Sequence, residues 1–147
     1  MLDKRLTVRL EKYWQHIKKD EEIPDFRRNN PAMIEDMWEQ CFVLSVIPPM
    51  GKAYKYEYLG VKIRKMYGGD LTGMSVDLKS KQFPNSAIVP RLQTISSLLD
   101  MKTPQECSGE MPTIDGKFIK YRTILLPFGN EKSGITHVVA GVSYREF

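Results

Sequence analysis

This sequence predicts an α+β fold: a five-stranded antiparallel sheet, helices between strands two and three covering one face, and an amphipathic helix at the N-terminus. Three observations predict it. Apolar residues near the N-terminus recur with a helical period, two β-rich runs follow, and the last third is again β-rich around a strong hairpin turn at Asp115-Gly116. Helices segregated to one part of the chain and strands to another are the mark of an α+β layer arrangement.

The elements follow in order. Leu6, Leu10, Tyr13, Trp14 and Ile17 lie on one face of a helix from Asp3 to Lys19, ended by Glu21, Glu22 and Pro24. Asn30-Pro31 reads as an N-cap and first helical position, opening a short helix from Pro31 to Glu39. Cys41 to Ile47 is a β-rich run stopped by Pro48-Pro49, and Ala53 to Leu59 alternates Tyr54, Tyr56 and Tyr58 with Lys55 and Glu57. These two strands pair as a hairpin. Gly60 breaks the alternation, Val61 to Tyr67 is a short helix ended by Gly68-Gly69, and Asp70 to Gly73 is a second turn or a very short helix, with Asp70 as the cap of the turn. Helical spacing returns from Asn85 to Met101. Thr103–Ile114, Lys117–Phe128 and Ile135–Tyr144 are the last three strands.

Composition sets bounds on function. A chain of 147 residues makes one domain, and 41% hydrophobic residues are enough for a core without disulfide staples, which excludes multi-domain enzymes, solenoids and disordered chains. Cys41 and Cys107 are too few for a disulfide scaffold or a four-thiolate zinc site, so free thiols in a reducing compartment are expected. The longest apolar stretch, Cys41 to Met50, is far below the ~20 residues of a membrane span, and the N-terminus lacks the apolar core of a signal peptide. A cytoplasmic location is therefore expected. The net charge of +4 is spread evenly, with eight Lys/Arg against six Asp/Glu in residues 1–30 and fourteen against twelve in the rest. No basic stripe forms, and no nucleic-acid partner is expected.

Each candidate site residue also fits a plainer, structural role. The spacing of Gly68, Gly69 and Gly73 fits neither a P-loop nor a dinucleotide fingerprint. His16 and His137 have no sequence partners for nucleophilic catalysis, and adjacent carboxylates such as Glu35-Asp36 point apart on a helix. The chain is expected to be non-enzymatic, with no catalytic residue and no metal ligand set. A crossover between the second and third strands leaves room for a small molecule between helices and sheet. Tyr56, Tyr58, Tyr67 and Tyr121 are the candidate lining residues, with Arg91 as a clamp for a ligand carboxylate. Each tyrosine equally fits a core role, and Arg91 equally fits a side chain reaching solvent.

The order of motifs resembles a PAS (Per-Arnt-Sim) domain, and more narrowly the short stand-alone PAS-like proteins of alphaproteobacteria. The resemblance covers Phe26 to Phe147. It rests on Trp38-x-x-Cys41-Phe42-Val43-Leu44-Ser45-Val46, then Tyr54-x-Tyr56-x-Tyr58-Leu59-Gly60, then Tyr67-Gly68-x-Asp70-Leu71-Thr72-Gly73. Tyr121-Arg122-x-Ile124-Leu125-Leu126-Pro127-Phe128 and Val138 to Arg145 complete it. The resemblance implies a sensory or signalling module that binds a small molecule or a partner protein. The rival readings are a ligand-free interaction adaptor and an enzyme on a cone-shaped nuclear transport factor-like fold. Nothing matches the cysteine-centred motif of flavin-binding members or the histidine of haem-binding ones, so neither cofactor is expected. The sequence stops directly after the last strand, so output is expected in trans. Residues 1–22 are read as an amphipathic helix and 23–147 as the PAS-like domain. The apolar stripe of that helix needs a seat, because an isolated helix of this length is marginal in water. Two seats fit: the uncovered face of its own sheet, or the same helix of a second copy. The resemblance implies the second, a homodimer with Leu6, Leu10, Tyr13, Trp14 and Ile17 at its interface.

Overall fold

The N-terminal helix, α1 (Lys4–Lys18), ends at Lys19, whose φ of +53° is the left-handed conformation that closes helices. In this computed structural model of the chain, residues 4–47, 53–67, 69–77, 92–112 and 116–146 are described. The expected helix from Pro31 to Glu39 is instead two 3-10 turns, Pro31–Ile34 and Trp38–Gln40. Asn30 stands at the N-cap position, but its side chain makes no capping bond. Its N–H donates to the Tyr13 hydroxyl at 2.6 Å, and Tyr13 in turn donates to Asn29 Oδ1 at 2.5 Å. An uncapped helix of nine residues does not repay its nucleation cost. Burial of Ile34 and Met37 fixes the segment in place of a helical ladder.

The expected strands are all present: β1 (Cys41–Ile47), β2 (Ala53–Leu59), β4 (Gln105–Pro112), β5 (Phe118–Asn130) and β6 (Gly134–Glu146). Between them lie α2 (Val61–Tyr67), β3 (Ser75–Asp77) and α3 (Leu92–Met101). The three-residue β3 makes the sheet six-stranded, in the order β3-β2-β1-β6-β5-β4, with antiparallel pairing throughout. Its cause is local. Gly73, at φ +88°, turns the chain so that its N–H donates to the Tyr56 carbonyl at 2.7 Å, while Tyr56 N–H donates to the Met74 carbonyl at 3.0 Å. The chain is thus drawn along the free edge of β2. Asp70 accepts from the Thr72 N–H and hydroxyl, as expected of a turn cap. The Pro48-Pro49 stop, Asp115 and the stretch from Asn85 to Arg91 lie outside the described residues.

Seven consecutive residues of β5, Thr123 to Gly129, are buried. Strand side chains alternate between faces, so this sheet is covered on both. Cys41, Val43 and Ser45 of β1 pair with Gly141, Val139 and His137 of β6, which pair with Ile124, Leu126 and Phe128 of β5. These residues form one face, here called the outer face, and α1 docks on it. A Cβ on Gly141 would lie 2.2 Å from Leu10 Cδ1, so Leu10 sits on bare sheet backbone. Trp14 Nε1–H donates to the Pro127 carbonyl at 2.7 Å.

The expected intermolecular seam through Leu6, Leu10, Tyr13, Trp14 and Ile17 is therefore corrected. All five are at most 7% exposed within one chain, in the same core cluster as the sheet. The physical reason is the apolar outer face itself, which needs a cover that α1 supplies in cis. Extra bulk at the contact should be costly. Gly141→Ala is expected to lower stability by about 1–3 kcal/mol, as overpacked cores do. Urea denaturation checks this, and an unchanged midpoint would show that Leu10 does not seat against Gly141.

Candidate functional site

The opposite, inner face is built from Phe42, Leu44 and Val46 of β1, Tyr54, Tyr56 and Leu59 of β2, and the partners of β1 in β6. Tyr121, Thr123, Leu125 and Pro127 of β5 continue it. Phe42 and Tyr56 meet edge to face at 6.0 Å. Ile63 and Met66 of α2 and Leu98 of α3 are buried in the same core. Every named inward side chain of these strands is hydrocarbon or hydroxyl.

Two of the hydroxyls are orphans. Tyr54 is 1% exposed and its hydroxyl has no hydrogen-bond partner among the described residues. Burial pushes its pKa up to about 12, so the phenol is neutral, able both to donate and to accept. Thr123 is fully buried, and its Oγ1 is likewise without a partner among the described residues. A buried polar group left unpaired costs about 1–3 kcal/mol, so each needs a reason to persist.

The expected tyrosine cluster does not assemble as one group. Tyr58 pairs with Val43 and Tyr56 with Leu44, so β2 spends one more residue than β1 between these pairs. Glu57 is the extra residue of a β-bulge. Val43 and Leu44 face opposite ways, and the bulge turns Tyr58 to the outer face. There its ring stacks on Trp38 at 4.6 Å and its hydroxyl donates to the Trp38 carbonyl at 3.1 Å. Its pKa is raised, chiefly by burial. Gly60 completes this corner, since a Cβ there would lie 2.3 Å from the Glu39 carbonyl oxygen.

Tyr121 does face inward, but far from Tyr56. It pairs with Tyr144, six positions along β6 from Val138, the residue aligned with Leu44 and Tyr56. At ~3.3 Å per residue this is about 20 Å along the strands, too far to share one small ligand. Tyr121 instead lies across Gly109, with its hydroxyl 2.9 Å from where a Cβ would stand. Tyr67 closes α2, and its side chain lies outside the described residues, as does Arg91. Tyr56 thus keeps its place at the site. Tyr54, beside it, is the residue that sequence reasoning passed over. Its alternation with Tyr56 placed it on the right face, but no sequence signal marks a hydroxyl that will lack a partner.

The outer face carries a second aromatic site. His137 stacks on Phe26, centroids 3.9 Å apart and rings 6° from parallel, and Phe26 meets Phe128 edge-on at 5.8 Å. Burial lowers the His137 pKa from its ordinary 6.5, against the opposing pull of Glu57 and Asp25. His16 lies on α1, so neither histidine reaches the inner face. Among the described residues there is no cluster of His, Cys, Asp and Glu fit to hold a metal, and no helix long and apolar enough to cross a membrane. Neither cysteine is in a disulfide. Cys41 is buried on the outer face, and burial pushes its thiol up to about 12.

A family model described as PAS domain matches residues 2–143, a span that takes in α1 as well as the sheet. No curated protein matches the chain. Among solved structures, a light-oxygen-voltage domain studied with a flavin analogue is similar at a TM-score of 0.52 and 9% identity, covering 79% of this chain and 82% of that one. The PAS-B domain of Drosophila melanogaster Cycle with bound glycerol has a TM-score of 0.49 and 15% identity, covering 71% and 99%. A sensory box sensor histidine kinase from Vibrio cholerae has 0.49 and 16%, covering 79% and 91%.

Two measurements check the titratable groups. The fold disfavours a proton on His137, so its contribution to stability is whole above the ordinary pKa. It declines as pH falls through that value and levels off below the folded one. Urea midpoints taken between about pH 7.5 and 5 should fall with pH, and His137→Gln should flatten the slope over that range. With a thiol reagent at about pH 8, half-buried Cys107 should react in the native chain and Cys41 only on unfolding. Equal native rates would contradict the burial of Cys41.

Proposed function

This chain belongs to the PAS domain family, and on that footing we propose that it is a non-enzymatic sensory module that seats a small molecule on the inner sheet face beside Tyr54 and passes the bound state to a partner protein. The observation that carries the reading is the Tyr54 hydroxyl, buried to 1% exposure with no partner among the described residues. An apolar wall with one convergent polar group is the chemistry of a small-molecule site, where the polar group orients the ligand and hydrocarbon supplies affinity. Tyr56 and Phe42 form the adjoining wall. The proposed setting is the cytoplasm.

The test uses the sign of a stability change. Tyr54→Phe keeps the ring and deletes only the orphan oxygen. The ligand-free variant should be more stable than the parent by about 1 kcal/mol, because an unsatisfied group is removed. Its occupancy by any co-purifying small molecule should fall, as read by native mass spectrometry of both proteins prepared alike. A variant that is destabilised, with no small molecule on either protein, would mean that the hydroxyl serves the fold and not a ligand.

A further inference from the structure

The chemistry of the inner wall also constrains what it binds. We infer that the ligand is an uncharged, mainly apolar or aromatic molecule that makes a single hydrogen bond to the wall, with the Tyr54 hydroxyl. This rests on the proposed site and adds the class of its occupant. Among the described residues the wall around Tyr54 offers no counter-charge: Phe42, Leu44, Val46 and Tyr56 bring only hydrocarbon and one further phenol. An ionised group brought against such a wall loses its hydration with no ion to replace it, a far larger cost than one phenol hydrogen bond offsets.

Tyr54 itself stays protonated and neutral, so it provides a dipole and not a charge. The other orphan, Thr123, cannot supply a second polar contact. It pairs with Val142, five positions along β6 from His137, the partner of Ser45, and Tyr54 pairs with Val46, one residue further on. That is about 20 Å along the strands, with two strands lying between β2 and β5. A ligand small enough for this wall meets one hydroxyl or the other, and Tyr54 is the one beside the aromatic pair.

Two probes of matched shape decide the matter: 2-naphthol, neutral at pH 7, and 2-naphthoate, an anion. Binding of each to the full chain is followed by fluorescence titration, for the parent, Tyr54→Phe and Arg91→Gln. The expected result is that 2-naphthol binds, that it binds at least about tenfold more tightly than 2-naphthoate, and that Tyr54→Phe weakens it about 3–10-fold, the worth of one net hydrogen bond. Arg91→Gln should leave its affinity unchanged, and far-ultraviolet circular dichroism should show Tyr54→Phe folded. Tighter binding of 2-naphthoate, lost in Arg91→Gln, would overturn the neutral-ligand inference while leaving a ligand site in place. Binding of neither probe, with no co-purifying molecule, would overturn both the inference and the site.

Discussion

The contact between Leu10 and the bare backbone of Gly141 sets the rest of the structure. A side chain at position 141 would occupy the space that Leu10 fills, so glycine there lets α1 lie directly on the sheet. The docked stripe includes some of the largest fully buried side chains, Trp14 and Leu10 among them. Burying each such side chain stabilises by about 1.5–3 kcal/mol, whereas a free 15-residue helix is marginal. The helix therefore exists because it docks, and the outer face stays covered because the helix is there. The Trp14 bond to the Pro127 carbonyl and the Gly129 N–H bond to the Pro24 carbonyl fix the direction in which it lies.

That arrangement divides the labour of the two faces. The outer face is spent on structure: α1, the Trp38–Tyr58 stack and the Phe26–His137 stack all pack there. The inner face keeps the two buried hydroxyls without partners among the described residues. A fold selected for stability alone would place phenylalanine or valine at such positions, since an apolar isostere removes the desolvation penalty. The cost is retained on the face that adjoins the helices between the second and third expected strands, where the ligand proposed above would relieve it at Tyr54.

Much of this was legible in the residues. The limits of β1 and β2 follow from β-rich composition and the flanking Pro and Gly. The helical period of α1 named the five residues that are buried. What could not be read depended on the register between distant segments. The bulge at Glu57 is invisible in the Tyr54, Tyr56, Tyr58 alternation, because an unbroken period of two looks the same whether or not the partner strand keeps pace. It is this bulge that turned Tyr58 away from the candidate site. Likewise the stripe of α1 states that it must be buried, not against what. Only the pairing that sets Gly141 beside Cys41 and Ile124 reveals a seat in cis. The short β3 depends on two backbone hydrogen bonds to Tyr56 and on no periodicity of its own.

The most direct test of the account is native-state hydrogen exchange across the whole chain. If α1 and the sheet share one core, the amides of Leu10 to Ile17 exchange only through global unfolding, with the same opening free energy as those of β1 and β6. Exchange from α1 at a clearly lower free energy, with the sheet still protected, would contradict it. That result would show a helix that rests on the domain without holding it together.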